Sequence, residues 1–292
     1  MSSVDRQIGL SSRIAAAIHD KRHQSYVTHA IQEILAQRTY QIGLGYFDGN
    51  DSNTLRIDPM LKLSLDKRPL DEDNDLASAA TVSRFENSLT KRDIYRIAAA
   101  FVQHFIASYH EPPPLIVLDM DHSEDKTYGQ QELACFNGHY GDHCYLPLFI
   151  FEGLSGKLVT AALRPGKTPK GAENAMIMKR ILKLLRQAWP ETHIVLRGDG
   201  HFSNPELMKL KRKDAKLDFV FGVSGNSKLL SLAKPFMDSV RKSYEDCRAH
   251  AELNGESAPQ NIRMYRELKY AAGTWPKDIP MRLILKAEVN AK

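Results

Sequence analysis

The spacing of hydrophobic residues changes once along the chain, close to a run of three prolines. Over residues 1–110 the apolar positions recur every three or four residues in polar surroundings, a pattern typical of amphipathic helices. Helices are predicted over 11–18, 26–40 and 90–106. Because proline cannot continue a helix, Pro112–Pro114 ends the last of them, and we predict a domain boundary there.

After the prolines, short apolar runs bounded by turn residues predict strands. Their order with the intervening helices is β-β-β-α-β-α-β, which indicates a mixed sheet with an antiparallel hairpin and parallel crossovers. The predicted elements are a strand over 115–121, a hairpin of strands 145–151 and 158–163, a helix over 172–189, a strand over 193–197, a short helix begun by Ser203, a strand over 219–223, a helix over about 227–250, and strands over 263–273 and 281–289.

The composition is that of a globular protein with a small excess of basic residues. Hydrophobic residues make up 42% and charged residues 26%, and the net charge of +5 is compatible with a polyanionic partner without identifying one. Three cysteines without a C-x-x-C pair favour a reducing compartment. No apolar run is long enough for a signal peptide or a membrane span, so we expect a soluble, cytoplasmic protein.

Acidic residues occur at the ends of two predicted strands. Asp119 and Asp121 alternate along one strand and therefore share a face, roughly 7 Å apart. Asp199 follows another strand between Gly198 and Gly200, which allow a sharp backbone turn. Functional groups gather at the carboxyl ends of strands in α/β sheets, and carboxylates with open positions suit Mg²⁺. The alternative is that these are ordinary solvated acids at strand ends.

Several segments resemble, in order, those of bacterial insertion-sequence DDE transposases of the group 1 branch. The family pattern L-D-x-D-x-T-x-D-P-x-H-G-x-Q is similar to residues 118–131, with Ser123 in place of threonine and Tyr128 in place of histidine. The other similar segments are G-Y-F-D-G-N-D-S-N-T-L-R-I-D-P (45–59), A-T-V-S-R-F-E-N (80–87), C-Y-L-P-L-F-I-F (144–151), L-R-G-D-G-H-F (196–202) and D-F-V-F-G (218–222).

The resemblance implies a ribonuclease-H-like α/β core that binds Mg²⁺ or Mn²⁺ and cleaves and joins DNA at element ends. The first catalytic aspartate of the family corresponds to Asp121, with Asp119 as a second metal-ligand candidate, and the second corresponds to Asp199. The implied partner is double-stranded DNA carrying terminal inverted repeats, bound by a homodimer at the nucleoid. The predicted domains are a helical DNA-binding region (1–110), the catalytic core (111–226) and part of a β-rich insertion (227–292).

The third acidic residue of the family has no counterpart in this chain. Family members carry it on a helix after the β-rich insertion, whereas this sequence ends at Lys292, inside what resembles that insertion. Glu245, Glu267 and Glu288 lie in other contexts, and none is assigned. We therefore expect an incomplete transposase, with a non-catalytic DNA-binding remnant as the alternative.

Two segments are candidates for DNA contact. The helix over 172–189 and the residues before it are basic, and such a face can neutralise phosphates, although a basic run is commonly only a solvated face. Residues 77–87 have the pattern of a helix-turn-helix, or of one helix capped by Ser78 or Thr81. The DNA-binding candidates are Lys167, Lys170, Lys179, Arg180, Lys183 and Arg186 in the first segment and Thr81, Ser83 and Arg84 in the second.

A zinc site is the weaker alternative for the segment between the first two strands. Cys135, His139, His143 and Cys144 are zinc-ligand types. However, His143 and Cys144 are adjacent, so on a strand they would face opposite ways. We therefore predict no zinc site here.

Overall fold

The computed structural model describes residues 1–71 and 73–291. The chain divides into two compact units, one formed by Met1–Thr168 with Arg180–Thr192, and the other by Pro169–Lys179 with the residues from His193 onward. Among the described residues, no helix combines the length and apolar character needed to cross a bilayer.

The described residues of the first unit begin with seven helices, in agreement with the predicted helical region. Two small cores join some of these helices, and in both cores residues of the irregular segment before Ser78 pack against a helix: Leu76 against Ala36 and Tyr40, and Ala77 against Ile34. The helices are α1 (Ser2–Ile8), α2 (Leu10–Ala16), α3 (Ile31–Gly43), α4 (Asp51–Leu55), α5 (Pro59–Ser64), α6 (Ala79–Ser88) and α7 (Lys91–Ala107).

The helix predicted over 11–18 spans Leu10–Ala16 in the structure, and its N-cap is Gly9. Gly9, with a φ of 67°, both ends α1 and begins α2, and no side chain caps α2. The second predicted helix also begins later than expected, because Tyr26 lies in a separate 3-10 turn and α3 starts only at Ile31.

Helix α7 is the long helix that the sequence predicts. Thr90 and Asp93 form a reciprocal capping box at its start, which satisfies main-chain N–H groups that have no partner within the helix. Val102 and Phe105 are buried, as the helical spacing requires. The Thr160 hydroxyl donates to the Ala98 carbonyl at 3.2 Å, which ties α7 to the strands of the same unit.

Three antiparallel strands follow the prolines: β1 (Leu115–His122), β5 (Leu148–Glu152) and β6 (Leu158–Ala162). β1 pairs with β5 and β5 pairs with β6, which confirms the predicted hairpin. The chain segment that joins β1 to β5 forms a smaller sheet, which was not predicted. The spatial order of its three strands is β2-β4-β3. Its strands are β2 (Asp125–Lys126), β3 (Cys135–Asn137) and β4 (Asp142–Tyr145).

The predicted strand over 145–151 is wrong in its first residues. Tyr145 belongs to β4, and Pro147, which has no N–H for a sheet, separates β4 from β5. One apolar run therefore supplies two different sheets.

The remaining elements belong mostly to the second unit, and α8 is shared between the two. β7 and β8 pair in parallel, from Ile194 opposite Leu217 to Gly198 opposite Phe221. β9 and β10 form an antiparallel hairpin against which α10 packs. These elements are α8 (Gly171–Ala188), β7 (His193–Gly198), α9 (Pro205–Met208), β8 (Leu217–Phe221), α10 (Ser227–Asn254), β9 (Asn261–Leu268) and β10 (Leu283–Asn290).

The predicted fold class is confirmed. The chain is a mixed α/β protein with antiparallel and parallel pairing, an N-terminal helical region and a C-terminal β-hairpin. Outside the small sheet, the elements after the prolines run β1, β5, β6, α8, β7, α9, β8, which is the predicted ribonuclease-H-like order.

Candidate active site

Asp119 and Asp121 lie on one face of β1, as the alternation predicts. The other face carries Ile116, Leu118 and Met120, all at most 4% exposed, and these anchor the strand in the core. Asp119 is half-buried and has a polar partner, whereas Asp121 is exposed. No described residue hydrogen-bonds or pairs with the Asp121 side chain. Its carboxylate oxygens are therefore available to a ligand.

Two phenylalanines of β5 lie opposite these aspartates. Phe151 is the cross-strand partner of Asp119, and Phe149 is the partner of Asp121. Directly opposite residues share a face of an antiparallel pair, so the carboxylates lie beside the two rings, which stack with their centroids 6.3 Å apart. An apolar border lowers the local dielectric and strengthens the attraction of a carboxylate for a cation.

Asp199 follows directly on β7, also as predicted, and its side chain caps the 3-10 turn Gly200–Phe202. One carboxylate oxygen accepts from the main-chain N–H of His201 at 3.0 Å, and the other lies 3.0 Å from His201 Nδ1. The Asp199 side chain is nevertheless 58% exposed. The carboxylate is therefore oriented by its neighbour while remaining open to solvent.

The glycines that flank Asp199 are needed for close packing. A Cβ on Gly198 would lie 2.7 Å from the ring of Phe202, and a Cβ on Gly200 would lie 2.9 Å from the Ser224 hydroxyl. Neither glycine has a positive φ. At this turn the glycines therefore permit the close approach of side chains to the backbone, without a positive φ.

Sequence reasoning did not identify two of the residues at these strand ends. His201 was passed over although it contacts Asp199, and the only available signal was its spacing of two residues from that acid. Arg164 contacts Nδ1 of His122, the last residue of β1, and is itself 8% exposed. Because 42 positions separate Arg164 from His122, no local pattern could have revealed the contact.

The basic candidates on α8 differ in their surroundings. Lys179, Arg180 and Lys183 are exposed, opposite a face where Met178 is fully buried. Arg186 is half-buried and donates to two main-chain carbonyls, those of Trp189 at 3.3 Å and Thr192 at 2.5 Å. Lys167 and Lys170, which precede the helix, are exposed as well. All of these cations except Arg186 are oriented towards solvent.

Residues 77–87 contain one helix, α6, rather than two helices joined by a turn. The Ser78 hydroxyl accepts from the N–H of Thr81 and begins the helix, as the simpler interpretation expected. Ser83 and Arg84 are exposed, and Thr81 accepts a hydrogen bond from Arg84 at 3.3 Å.

The candidate zinc ligands lie in the small sheet. Cys135 and Cys144 are cross-strand partners, while His143 lies opposite Phe136 and so points to the other face. Within residues 1–71 and 73–291, no group of three or more His, Cys, Asp and Glu side chains is arranged to hold a metal ion.

The glutamates that were left unassigned lie on the β9–β10 hairpin and on α10. Glu267 pairs with Arg282 at 2.8 Å and Glu288 with Arg263 at 2.7 Å, both across the β9–β10 hairpin. Glu245 is exposed on α10. No catalytic role is assigned to them.

A family comparison then decides the class of protein. The profile of the family "Transposase DDE domain group 1" matches residues 1–292. The chain belongs to this transposase family. The resemblance noted in the sequence is therefore confirmed.

Solved structures similar to the transposase domain are themselves transposases, at low similarity. The piggyBac transposase in a synaptic complex with hairpin DNA is 13% identical, with a TM-score of 0.38 over 75% of this chain and 47% of that one. The Mos1 strand transfer complex is 11% identical, with a TM-score of 0.25 over 73% of this chain and 76% of that one. The domain thus spans about half the length of the piggyBac chain. Among curated proteins there is no significant match.

Proposed function

We propose that this chain is the catalytic part of an insertion-sequence transposase, which cleaves DNA at the element ends and transfers the released strands. The observation that carries the proposal is the match of the DDE transposase family over the whole sequence. Two accessible aspartates, Asp121 near the end of β1 and Asp199 directly after β7, support the proposal. DDE chemistry requires carboxylates that can hold divalent metal.

In this proposal Asp121 and Asp199 would hold Mg²⁺ or Mn²⁺, with Asp119 as the second candidate for the metal ligand on β1. The donor set fits, because carboxylate oxygens are the ligands that these ions prefer, and the oxygens of Asp121 and Asp199 are open to solvent. A bound ion would supply activation of the attacking hydroxyl and stabilisation of the leaving oxygen.

The other residues orient the carboxylates and hold the substrate. His201 fixes the rotamer of Asp199, while Phe149 and Phe151 keep water from one side of Asp119 and Asp121. The DNA backbone is bound by exposed cations and hydroxyls that neutralise phosphates without reading bases. These are Lys167, Lys170, Lys179, Arg180 and Lys183, with Thr81, Ser83 and Arg84 on α6 and a smaller contribution from Arg186.

The proposed partners and domains follow from the same function. The substrate is double-stranded DNA with the terminal inverted repeats of the element, and two copies of the chain act together on the paired ends. Residues 1–110 bind DNA, 111–226 carry out the chemistry, and 227–292 belong to the insertion domain. The protein acts at the nucleoid.

The test is metal-dependent nicking of labelled DNA that contains the ends flanking the gene. The wild-type chain should nick this DNA in the presence of Mg²⁺, and Asp199→Asn should abolish nicking while DNA binding survives. Glu256→Gln, which removes an exposed carboxylate in a loop, is the matched control and should nick normally.

Two outcomes would contradict the proposal in different ways. Nicking that persists unchanged in Asp199→Asn would show that this carboxylate is not part of the site. DNA binding by the wild-type chain without nicking, at any Mg²⁺ or Mn²⁺ concentration, would favour the non-catalytic DNA-binding alternative.

A further inference from the structure

An open, basic pocket of about 590 Å³ lies in the helical region, and none of the individual residues named above as DNA or metal contacts lines it. It is formed where the chain after α2 meets the first turns of α7. Its lining contains five residues that are or can become cationic and one carboxylate: His19, Lys21, Thr90, Lys91, Arg92, Asp93 and Arg96.

The single carboxylate of the pocket is already engaged. One Asp93 oxygen accepts from both the N–H of Thr90, at 3.0 Å, and the Thr90 hydroxyl, at 2.5 Å. The other lies 3.7 Å from Arg96. The charge of Asp93 is therefore offset by the capping hydrogen bonds, by the nearby charge of Lys21 and by Arg96.

The other cations have no such partner. Within the described part of the chain, no hydrogen bond or ion pair joins the side chain of Lys21, Lys91 or Arg92 to another residue, and all three are exposed. Lys21, Lys91, Arg92 and Arg96 thus face one open space that contains a single carboxylate, Asp93, whose charge is shared by Lys21 and Arg96. This arrangement favours an external anion.

The position of Lys91 and Arg92 in α7 also supports a role in ligand binding. Lys91 and Arg92 are the first two residues of α7, where the unpaired N–H groups and the helix dipole favour negative charge and disfavour cations. Both residues therefore weaken the helix that carries them, and the same N–H groups and cations together attract an anion.

The basic surface continues from the pocket along the same unit. Tyr95, one turn after Lys91, is 46% exposed, and the guanidinium of Arg180 lies over its ring, 4.8 Å from the centroid. Lys183 is exposed on the following turn of α8. An extended polyanion could therefore contact the pocket and α8 at once, which a small anion could not.

We propose that Lys21, Lys91 and Arg92, with Arg96 beside them, bind successive phosphates of duplex DNA without reading its sequence. The inference rests on the proposed function for the nature of the ligand. It adds a contact region on the first turn of α7 that is separate from α6 and from the carboxylates.

The experiment measures binding of a short labelled duplex of arbitrary sequence in EDTA, as a function of salt concentration, so that catalysis plays no part. The triple variant Lys21→Ala, Lys91→Ala, Arg92→Ala should bind at least about 10-fold more weakly, and its log–log salt slope should fall by about three. The control triple Lys234→Ala, Lys242→Ala, Lys277→Ala removes the same charge from exposed positions of the other unit and should change neither quantity appreciably.

A second variant separates binding from folding. Lys91→Glu with Arg92→Glu places carboxylates where the helix dipole favours them, so thermal stability should be equal or higher while DNA affinity falls further. If this variant instead unfolds at lower temperature and binds DNA normally, the two cations serve the fold and the inference is wrong.

The remaining outcomes distinguish this inference from the proposed function. Unchanged DNA binding by the triple variant, or an equal loss in the control triple, would overturn the inference and leave the transposase proposal intact. The inference would also be overturned if the triple variant bound duplex DNA normally but no longer bound polyglutamate. The partner of the pocket would then be an acidic protein. If the wild-type chain binds no duplex at all, both proposals fail.

Discussion

The strand pair β1–β5 carries a carboxylate at each end, and the two differ in almost every respect. Glu152, opposite Leu118, is 1% exposed and accepts hydrogen bonds from the main-chain N–H groups of Val117 and Leu154, both at 3.1 Å, and of Ser155 at 2.7 Å. Asp121, at the other end, is exposed, and no described residue donates to it.

The difference shows how one strand pair uses the same chemical group for folding and for binding. Burial alone would raise the pKa of Glu152, but the hydrogen bonds from Ser155, Val117 and Leu154 outweigh that effect and hold the pKa below its usual value. A carboxylate satisfied by the protein stabilises the turn after β5. A carboxylate left unsatisfied, such as Asp121, contributes little to stability and is available to an external cation.

The largest expected effect is on catalysis by Asp121→Asn. Removal of a metal ligand should lower Mg²⁺-dependent nicking by at least about 100-fold, since loss of even an outer-shell group costs 10–100-fold. The free energy of unfolding should change by less than about 0.5 kcal/mol, because the side chain is exposed. Nicking rates and urea unfolding of the same preparation test both parts, and a large loss of stability would contradict the comparison.

The opposite result is expected for Glu152→Gln. The amide cannot accept from all three N–H groups, so the free energy of unfolding should fall by about 1–3 kcal/mol. Nicking per folded molecule should remain unchanged at a temperature where the variant is folded. Equal stability of the variant and the wild type would mean that these hydrogen bonds contribute nothing.

The stability difference between wild type and Glu152→Gln should also depend on pH. The folded pKa of Glu152 is lowered from 4.5, so its contribution is fully present above about pH 4.5 and is lost as the pH falls through the lower, folded pKa. Denaturant unfolding at several pH values should show the two proteins converging only below about pH 4.5. Convergence at neutral pH would contradict the assignment.

The smallest expected effect belongs to His201→Ala. His201 orients Asp199 without any proposed contact with the reacting atoms, so its loss should reduce nicking by about 10-fold, less than Asp199→Asn does. A positioning role predicts that higher Mg²⁺ partly restores the rate and that Asn at position 201 restores more than Ala does. No rescue by metal would indicate a purely structural role.

The sequence was sufficient wherever short-range physics decides the outcome. The alternation in β1, the start of α7 near residue 90 and the acid directly after β7 all depend on neighbours within a few positions, and each was predicted. Errors occurred where distant segments compete. The run over 145–151 was divided between two sheets at Pro147, and the contact of Arg164 with His122, 42 positions away, was missed.

By itself, the sequence determined the mixed α/β class, the transposase resemblance and the identity of the strand-end aspartates, because periodicity, capping and motif order are local properties. Only the tertiary structure decided which groups surround them: the phenylalanines opposite Asp119 and Asp121, and Arg164 beside His122 at the end of the same strand. The physical reason is that strand register and side-chain packing join residues far apart in the chain, and their energies depend on burial and partners that no local pattern records.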